Sequence, residues 1–254
     1  MKLNYQEYGQ GRPIVILHGL FGSTDNWHTI SKKLAESFKI YVLDLRNHGL
    51  SPHSSIFNYR VMAEDVAEFF SLHNLSSASI IGHSMGGKVA MTLANFYPER
   101  IEKLVVVDIA PKAYGRAHSD ILEALISLDL SKYESRKQID EELGLRVENQ
   151  VVRQFLLKNL TRKEAGGFGW KMNLQGIYDS YAEINRAVEF DRSFEKPTLF
   201  ISGSLSNYIK DEDSLLIKKL FPNSGLESIE GAGHWVHFEA PQAFLKLVEG
   251  FLRD

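Results

Sequence analysis

The hexapeptide Gly82-His83-Ser84-Met85-Gly86-Gly87 follows the run Ala78-Ser79-Ile80-Ile81 and precedes a helical pattern over 88–96. Gly-x-Ser-x-Gly between a strand and a helix is a turn that displays a nucleophile. The turn is so tight that its neighbours must be nearly free of side chain, hence Gly82 and Gly86. The serine hydroxyl then stands at a helix N-terminus, where the positive end of the dipole favours developing negative charge. That arrangement suits acyl transfer. The plain alternative is a glycine-rich turn with an incidental serine, which the strand before and the helix after disfavour.

A serine hydroxyl needs a base at neutral pH. Of nine histidines, His234 in Gly231-Ala232-Gly233-His234 follows the last strand pattern and precedes the last helix, on the sheet edge expected for Ser84. His237, before Phe238-Glu239-Ala240-Pro241, reads as a packing residue at a helix start, and His83 as a packed neighbour of the elbow. The base in turn needs a carboxylate. With a serine elbow of this kind, the acid falls between serine and histidine in the chain, most often after the strand that follows the helical block. Residues 203–210 contain no acid, and Asp211, Glu212 and Asp213 look like first-turn residues facing a helix dipole. Val105-Val106-Val107-Asp108 puts a carboxylate at the neighbouring strand end, so Asp108 is the expected acid. Its role would be to fix the imidazole tautomer and stabilise the imidazolium. Oxyanion donors are expected from the Met85 N–H and from the loop His18-Gly19-Leu20-Phe21-Gly22, with Leu20 preferred and Phe21 second. His18 reads as a residue that holds this loop by a hydrogen bond.

The elements that must position these groups are visible as alternation. Strand patterns cover 14–17, 39–45, 78–82, 101–108, 198–202 and 227–230. Helical patterns cover 23–36, 59–72, 85–96, 211–220 and 241–252. Such alternation predicts an α/β fold with a mainly parallel sheet and helices on both faces. The block 111–191 reads as helical throughout, interrupted at Gly166-Gly167-Phe168-Gly169-Trp170, with a capping box at Ser135-Arg136-Lys137-Gln138. It is expected to be a cap inserted into a core formed by 1–110 and 192–254.

Composition narrows the class. The 29 basic and 32 acidic residues give a net charge of −3, with no basic excess for nucleic acid or an anionic membrane. There is no cysteine, which removes disulfides, thiolate metal sites and cysteine nucleophiles. No apolar run approaches the ~20 residues of a membrane span, and the first residues carry no signal-like apolar segment, so a cytoplasmic protein is expected.

The motifs His18-Gly19-Leu20-Phe21-Gly22-Ser23, Arg46-Asn47-His48-Gly49-Leu50-Ser51-Pro52, the elbow through Lys88, Asp108-Ile109-Ala110-Pro111 and Gly231 through His237 occur in an order that resembles the α/β-hydrolase superfamily. Within it, the chain is most similar to small bacterial esterases of the YbfF type and their mitochondrial relatives. The resemblance implies the α/β-hydrolase fold and hydrolysis of carboxylic esters, with acyl-CoA thioesters left open. It places the acid on Asp108, independently of the reasoning above. The expected partner is a small-molecule ester or thioester, and the chemistry needs no metal or organic cofactor. Phe155, Trp170, Tyr178 and Tyr181 are candidate acyl-pocket residues of the cap, with Phe168 and Met172 as further aromatic and apolar lining. Lys112 and Arg116 enter the cap near the site and read more simply as a solvated face. C–C bond hydrolases, acyltransferases and perhydrolases share this machinery and stand as alternatives. A slow-turnover ligand sensor of the same fold is a further one, and an aspartate in place of Ser84 would instead have indicated an epoxide hydrolase or dehalogenase.

Overall fold

The computed structural model describes residues 1–115, 119–164 and 166–253. Its main sheet has seven strands: β1 (Tyr5–Tyr8), β2 (Pro13–Leu17), β3 (Lys39–Leu43), β4 (Ala78–His83), β5 (Ile101–Val107), and beyond a long insertion β8 (Thr198–Gly203) and β9 (Ser224–Ile229). The order across the sheet is β1-β3-β2-β4-β5-β8-β9. Only β1 runs antiparallel, at one edge, and its polar sequence Tyr5-Gln6-Glu7-Tyr8 carries too weak a pattern to be read as a strand.

Side chains of the central strands alternate between two hydrophobic layers, as the two-residue strand period requires. Val15, Leu17, Ile80, Leu104, Val106 and Phe200 face one layer, and Ile14, Ile16, Ile81, Val105, Val107 and Ile201 the other. The first layer receives the helices α2 (Tyr59–Leu72) and α3 (Met85–Phe96), and the second receives α1 (His28–Leu34) and, at the C-terminus, α11 (Pro241–Arg253). Each fully buried aliphatic side chain contributes roughly 1.5–3 kcal/mol. From β2 the chain goes to β3 on one side, while β4 flanks β2 on the other. The crevice at the carboxyl ends of β2 and β4 is therefore where such a sheet offers a site.

Between β5 and β8 lie α4 (Ser119–Ser127), α5 (Arg136–Gly144), α6 (Gln150–Leu157), β6 (Leu160–Arg162), β7 (Phe168–Trp170), α7 (Leu174–Asp179) and α8 (Tyr181–Ile184). The sequence reads as wholly helical here, yet β6 and β7 pair as a short antiparallel ribbon. Gly166 and Gly167, at φ +88° and +77°, turn the chain back, and three-residue strands are too short to show a period. Ser135 caps α5 and Gln138 returns the bond, the reciprocal cap expected there. Leu122, Leu125, Ile139, Val152 and Leu156 join the same hydrophobic layer as Leu17, Met85 and Val106, so the insertion shares the core of the sheet. Two further helices, α9 (Ser214–Leu220) and α10 (Val236–Glu239), precede α11. Among the described residues no helix is long and apolar enough to cross a membrane.

Candidate active site

Ser84 sits between β4 and α3 at φ 52°, ψ −117°, a backbone conformation that few non-glycine residues adopt. A Cβ on Gly82 would lie 2.4 Å from Gly86 O, and one on Gly86 would lie 2.3 Å from Leu17 O. The two glycines are thus needed for the turn to close against α3 and β2. The strained turn is fastened by Ser84 N–H donating to Val107 O at 2.9 Å, and α3 begins with Met85.

His234 lies after β9 and reaches Ser84 across the sheet edge, with Nε2 3.0 Å from Ser84 Oγ. Its Nδ1 is 2.7 Å from Asp108 Oδ2. Because a carboxylate only accepts, Nδ1 carries the proton, and Nε2 presents a lone pair to the serine hydroxyl. Asp108 follows β5 at φ 50° and is fully buried. Oδ1 accepts the Gly203 N–H at 3.2 Å and Oδ2 also accepts the Ser206 hydroxyl. Burial pushes the carboxyl up and the imidazole down from their ordinary values, while the Ser206 and Gly203 donors oppose the rise at Asp108. The imidazole is therefore neutral at rest, the form a base requires. Tyr208 stacks on the His234 ring at 3.8 Å, and His83 Nε2 donates to His234 O at 2.8 Å. His237 packs flat on Trp27 at 4.1 Å, away from Ser84 Oγ.

The loop after β2 is held by two buried histidines. His18 accepts the Leu45 N–H at Nε2 (3.0 Å) and donates from Nδ1 to Gly19 O (2.8 Å). His48 accepts the Phe21 N–H at Nε2 (3.2 Å) and donates from Nδ1 to Arg46 O (3.0 Å). Burial pushes the two rings down to about 4 and about 3, so both are neutral. This corrects one expectation: the Phe21 N–H is engaged by His48 and does not face an oxyanion. Leu20 and Met85 share one cavity wall with Ser84, and the Phe21 side chain lines a second cavity there although its N–H is taken. The Arg46–Ser51 motif thus acts as a scaffold, with Arg46 paired to Asp65 through Nε and Nη2 at 2.6 and 2.8 Å.

Two small cavities meet at Ser84. One, of about 10 Å³, is walled by Leu20, Phe21, Ile121, Val152, Phe155 and Trp235. The other, of about 30 Å³, is walled by Tyr59, Met85, Lys88, Ile109, Asn185 and Tyr208. Tyr114 and Asn185 separate the second from an open cleft of about 340 Å³ between α4 and α7–α8. Of the four cap residues expected at the acyl pocket, only Phe155 shares a cavity with Ser84. Tyr178 and Tyr181 line the outer cleft, and Trp170 sits in the ribbon opposite Leu160. Phe168 and Met172 are core residues. Lys112 is paired to Asp213 at 2.6 Å, and Arg116 lies outside the described residues.

Ser206, Tyr208, Tyr59 and Lys88 were not singled out by the sequence reasoning. Residues 203–210 carry no acid, and their contribution is the Ser206 hydroxyl and the Tyr208 ring. Lys88 carried a legible signal, a lone cation four residues after Ser84 in an apolar helix. Among the described residues no group of three His, Asp or Glu side chains is placed to hold a metal ion.

A family model described as alpha/beta hydrolase fold matches residues 12–241. The chain is 40% identical over 253 residues to the sn-1-specific diacylglycerol lipase ABHD11 of Danio rerio, covering 96% of this chain and 80% of that protein. It is 37% identical over 264 residues to the esterase YbfF of Escherichia coli, covering both chains in full. Among solved structures, a marine microorganism esterase is 43% identical and superposes with a TM-score of 0.97, covering 98% of this chain and 99% of that one.

Proposed function

Since the chain belongs to the α/β-hydrolase family, we propose that it is a serine hydrolase that cleaves carboxylic esters through a covalent acyl-enzyme. The observation that carries this reading is the continuous relay from Ser84 Oγ to His234 Nε2 at 3.0 Å and from His234 Nδ1 to Asp108 at 2.7 Å. Similarity to proteins named esterase and lipase supports it.

In the proposed cycle, His234 takes the proton from Ser84 as Oγ bonds to the ester carbonyl carbon. The N–H groups of Leu20 and Met85 receive the negative oxygen of the tetrahedral intermediate, a contribution of about 3–4 kcal/mol per donor in comparable sites. Asp108 holds the tautomer and stabilises the imidazolium. The intermediate collapses as His234 gives its proton to the leaving oxygen, which departs as an alcohol. Water then attacks the acyl-enzyme with His234 again as base, releasing the acid and restoring Ser84. Thioesters fall within the same scheme, a thiol leaving in place of the alcohol. Residues 111–191 act in this reading as a cap that shapes the acyl site, the core being 1–110 and 192–254.

Hydrolysis of p-nitrophenyl butyrate and labelling by a fluorophosphonate, each in wild type and Ser84→Ala, test the reading. Both are expected in the wild type and neither in the variant. Labelling that persists in Ser84→Ala, or a folded wild type without turnover, would overturn it.

A further inference from the structure

Lys88 lies one helical turn beyond Ser84 on α3, its backbone N–H bonded to Ser84 O at 3.1 Å, so the two side chains share a helix face. It is 1% exposed and among the largest fully buried side chains of the protein. Nζ donates to Arg186 O at 2.5 Å and lies 5.4 and 4.8 Å from the ring centroids of Tyr59 and Tyr114. Among the described residues no carboxylate pairs with it. Burial pushes the ammonium down to about 7, with no neighbouring charge to offset the loss of water.

Packing and hydrogen bonding at this position do not by themselves call for a cation. Holding the Arg186 carbonyl does not require a charge, for Tyr59 holds the Ile184 carbonyl at 2.5 Å with a neutral hydroxyl. A buried cation is costly to keep unless something compensates it. An ammonium also has three N–H donors, of which the Arg186 carbonyl takes one. The other relevant observation is position: Lys88 walls the cavity of about 30 Å³ that opens on Ser84, together with Asn185 and Tyr208.

We propose that Lys88 is a specificity-determining residue whose ammonium receives a carboxylate of the substrate while Ser84 attacks the ester. This rests on the serine-esterase reading above. The cavity has room for about one water-sized group. The carboxylate therefore stands only a few bonds from the scissile carbonyl, on the acyl part or on the leaving group. The rest of that part extends past Tyr114 and Asn185 into the outer cleft.

Two matched substrate pairs separate the two sources. Mono-p-nitrophenyl glutarate against p-nitrophenyl butyrate places the carboxylate on the acyl part, and 3-carboxyphenyl acetate against phenyl acetate places it on the leaving group. The readout is the ratio of kcat/KM, anionic over neutral, in wild type, Lys88→Met, Lys88→Gln and Lys88→Arg. In one pair the ratio is expected to fall at least tenfold in the Met and Gln variants and to recover in part with Arg. Gln keeps a donor for Arg186 O, so a loss shared by Met and Gln reports the charge and not the packing. Ratios that stay constant in both pairs overturn the proposal. So does a wild type that disfavours the anionic substrate more than tenfold in both pairs, a result that needs no variant. Turnover of the neutral esters that survives in Ser84→Ala would instead sink the serine reading.

Discussion

Asp108 Oδ2 lies 2.7 Å from His234 Nδ1, and the acid that makes this contact stands at the end of β5 and not after β8. The end of β8 and the loop after it supply donors to that acid, the Gly203 N–H and the Ser206 hydroxyl. In the proposed triad, a carboxylate at one strand end, held by donors from the next, takes the place of a carboxylate after β8. The expected consequence is a sharp contrast between two substitutions. Asp108→Asn loses the tautomer that leaves Nε2 unprotonated, and kcat falls by about 10³–10⁴. Asp211→Asn, on an exposed turn before α9, changes kcat by less than about twofold, in line with the small effect of exposed surface positions. Steady-state hydrolysis of p-nitrophenyl butyrate by the two variants decides, and the reverse ranking would move the acid away from Asp108.

Ser206 is the nearer test of the same network. Its hydroxyl donates to the oxygen that also takes His234 Nδ1–H, in a setting where Asp108 is fully buried. A hydrogen bond to a charged group is worth about 1.5–3 kcal/mol, so Ser206→Ala is expected to lower kcat by about 10–100-fold. KM should move little, because the hydroxyl touches the acid and not the substrate. A variant with full kcat would reduce Ser206 to a loop residue.

The sheet and the proposed triad were legible because each depends on local pattern. Ser84 is marked by its glycines, His234 by its place between the last strand and the last helix, and Asp108 by the lack of an acid in 203–210. What was not legible depends on contacts across the chain. Nothing local says that the Phe21 N–H is taken by His48, 27 residues away. The ribbon of β6 and β7 is likewise fixed by pairing, and the strand β1 by its place beside β3. The Arg46–Ser51 motif was visible as a motif, but its part in holding the loop after β2 required the hydrogen bonds.

His48 also gives the fold a pH dependence. Nε2 accepts the Phe21 N–H, so protonating it would set one donor against another. Burial, with the nearby His18, pushes this imidazole down to about 3 from the ordinary 6.5. Between those values the unfolded chain takes up a proton that the fold refuses, so stability is fully present above pH 6.5 and declines as the pH falls. The loss is up to about 1.4 kcal/mol per pH unit for this one group. Urea unfolding at pH 7.5 and 5.0 should show wild type losing about 2 kcal/mol more than His48→Gln. Parallel losses in the two proteins would mean that His48 is not held neutral.

Acyl-chain selection separates Phe155 from Trp170, which the sequence had grouped. Phe155 walls the small cavity at Ser84 and packs against Trp235 at 5.7 Å between ring centroids. Trp170 lies half-buried in the ribbon and lines neither of the cavities at Ser84. Phe155→Ala should therefore open the cavity toward longer chains. The kcat/KM of p-nitrophenyl octanoate relative to the butyrate is expected to rise about tenfold, since one methylene in an apolar pocket is worth ~1–3 kcal/mol. Trp170→Ala should leave that ratio within about twofold and instead cost ~1–3 kcal/mol of stability, seen as a lower melting temperature. If Trp170→Ala shifts the chain-length ratio and Phe155→Ala does not, the acyl chain runs toward the ribbon and the cavity beside Phe155 is not its seat.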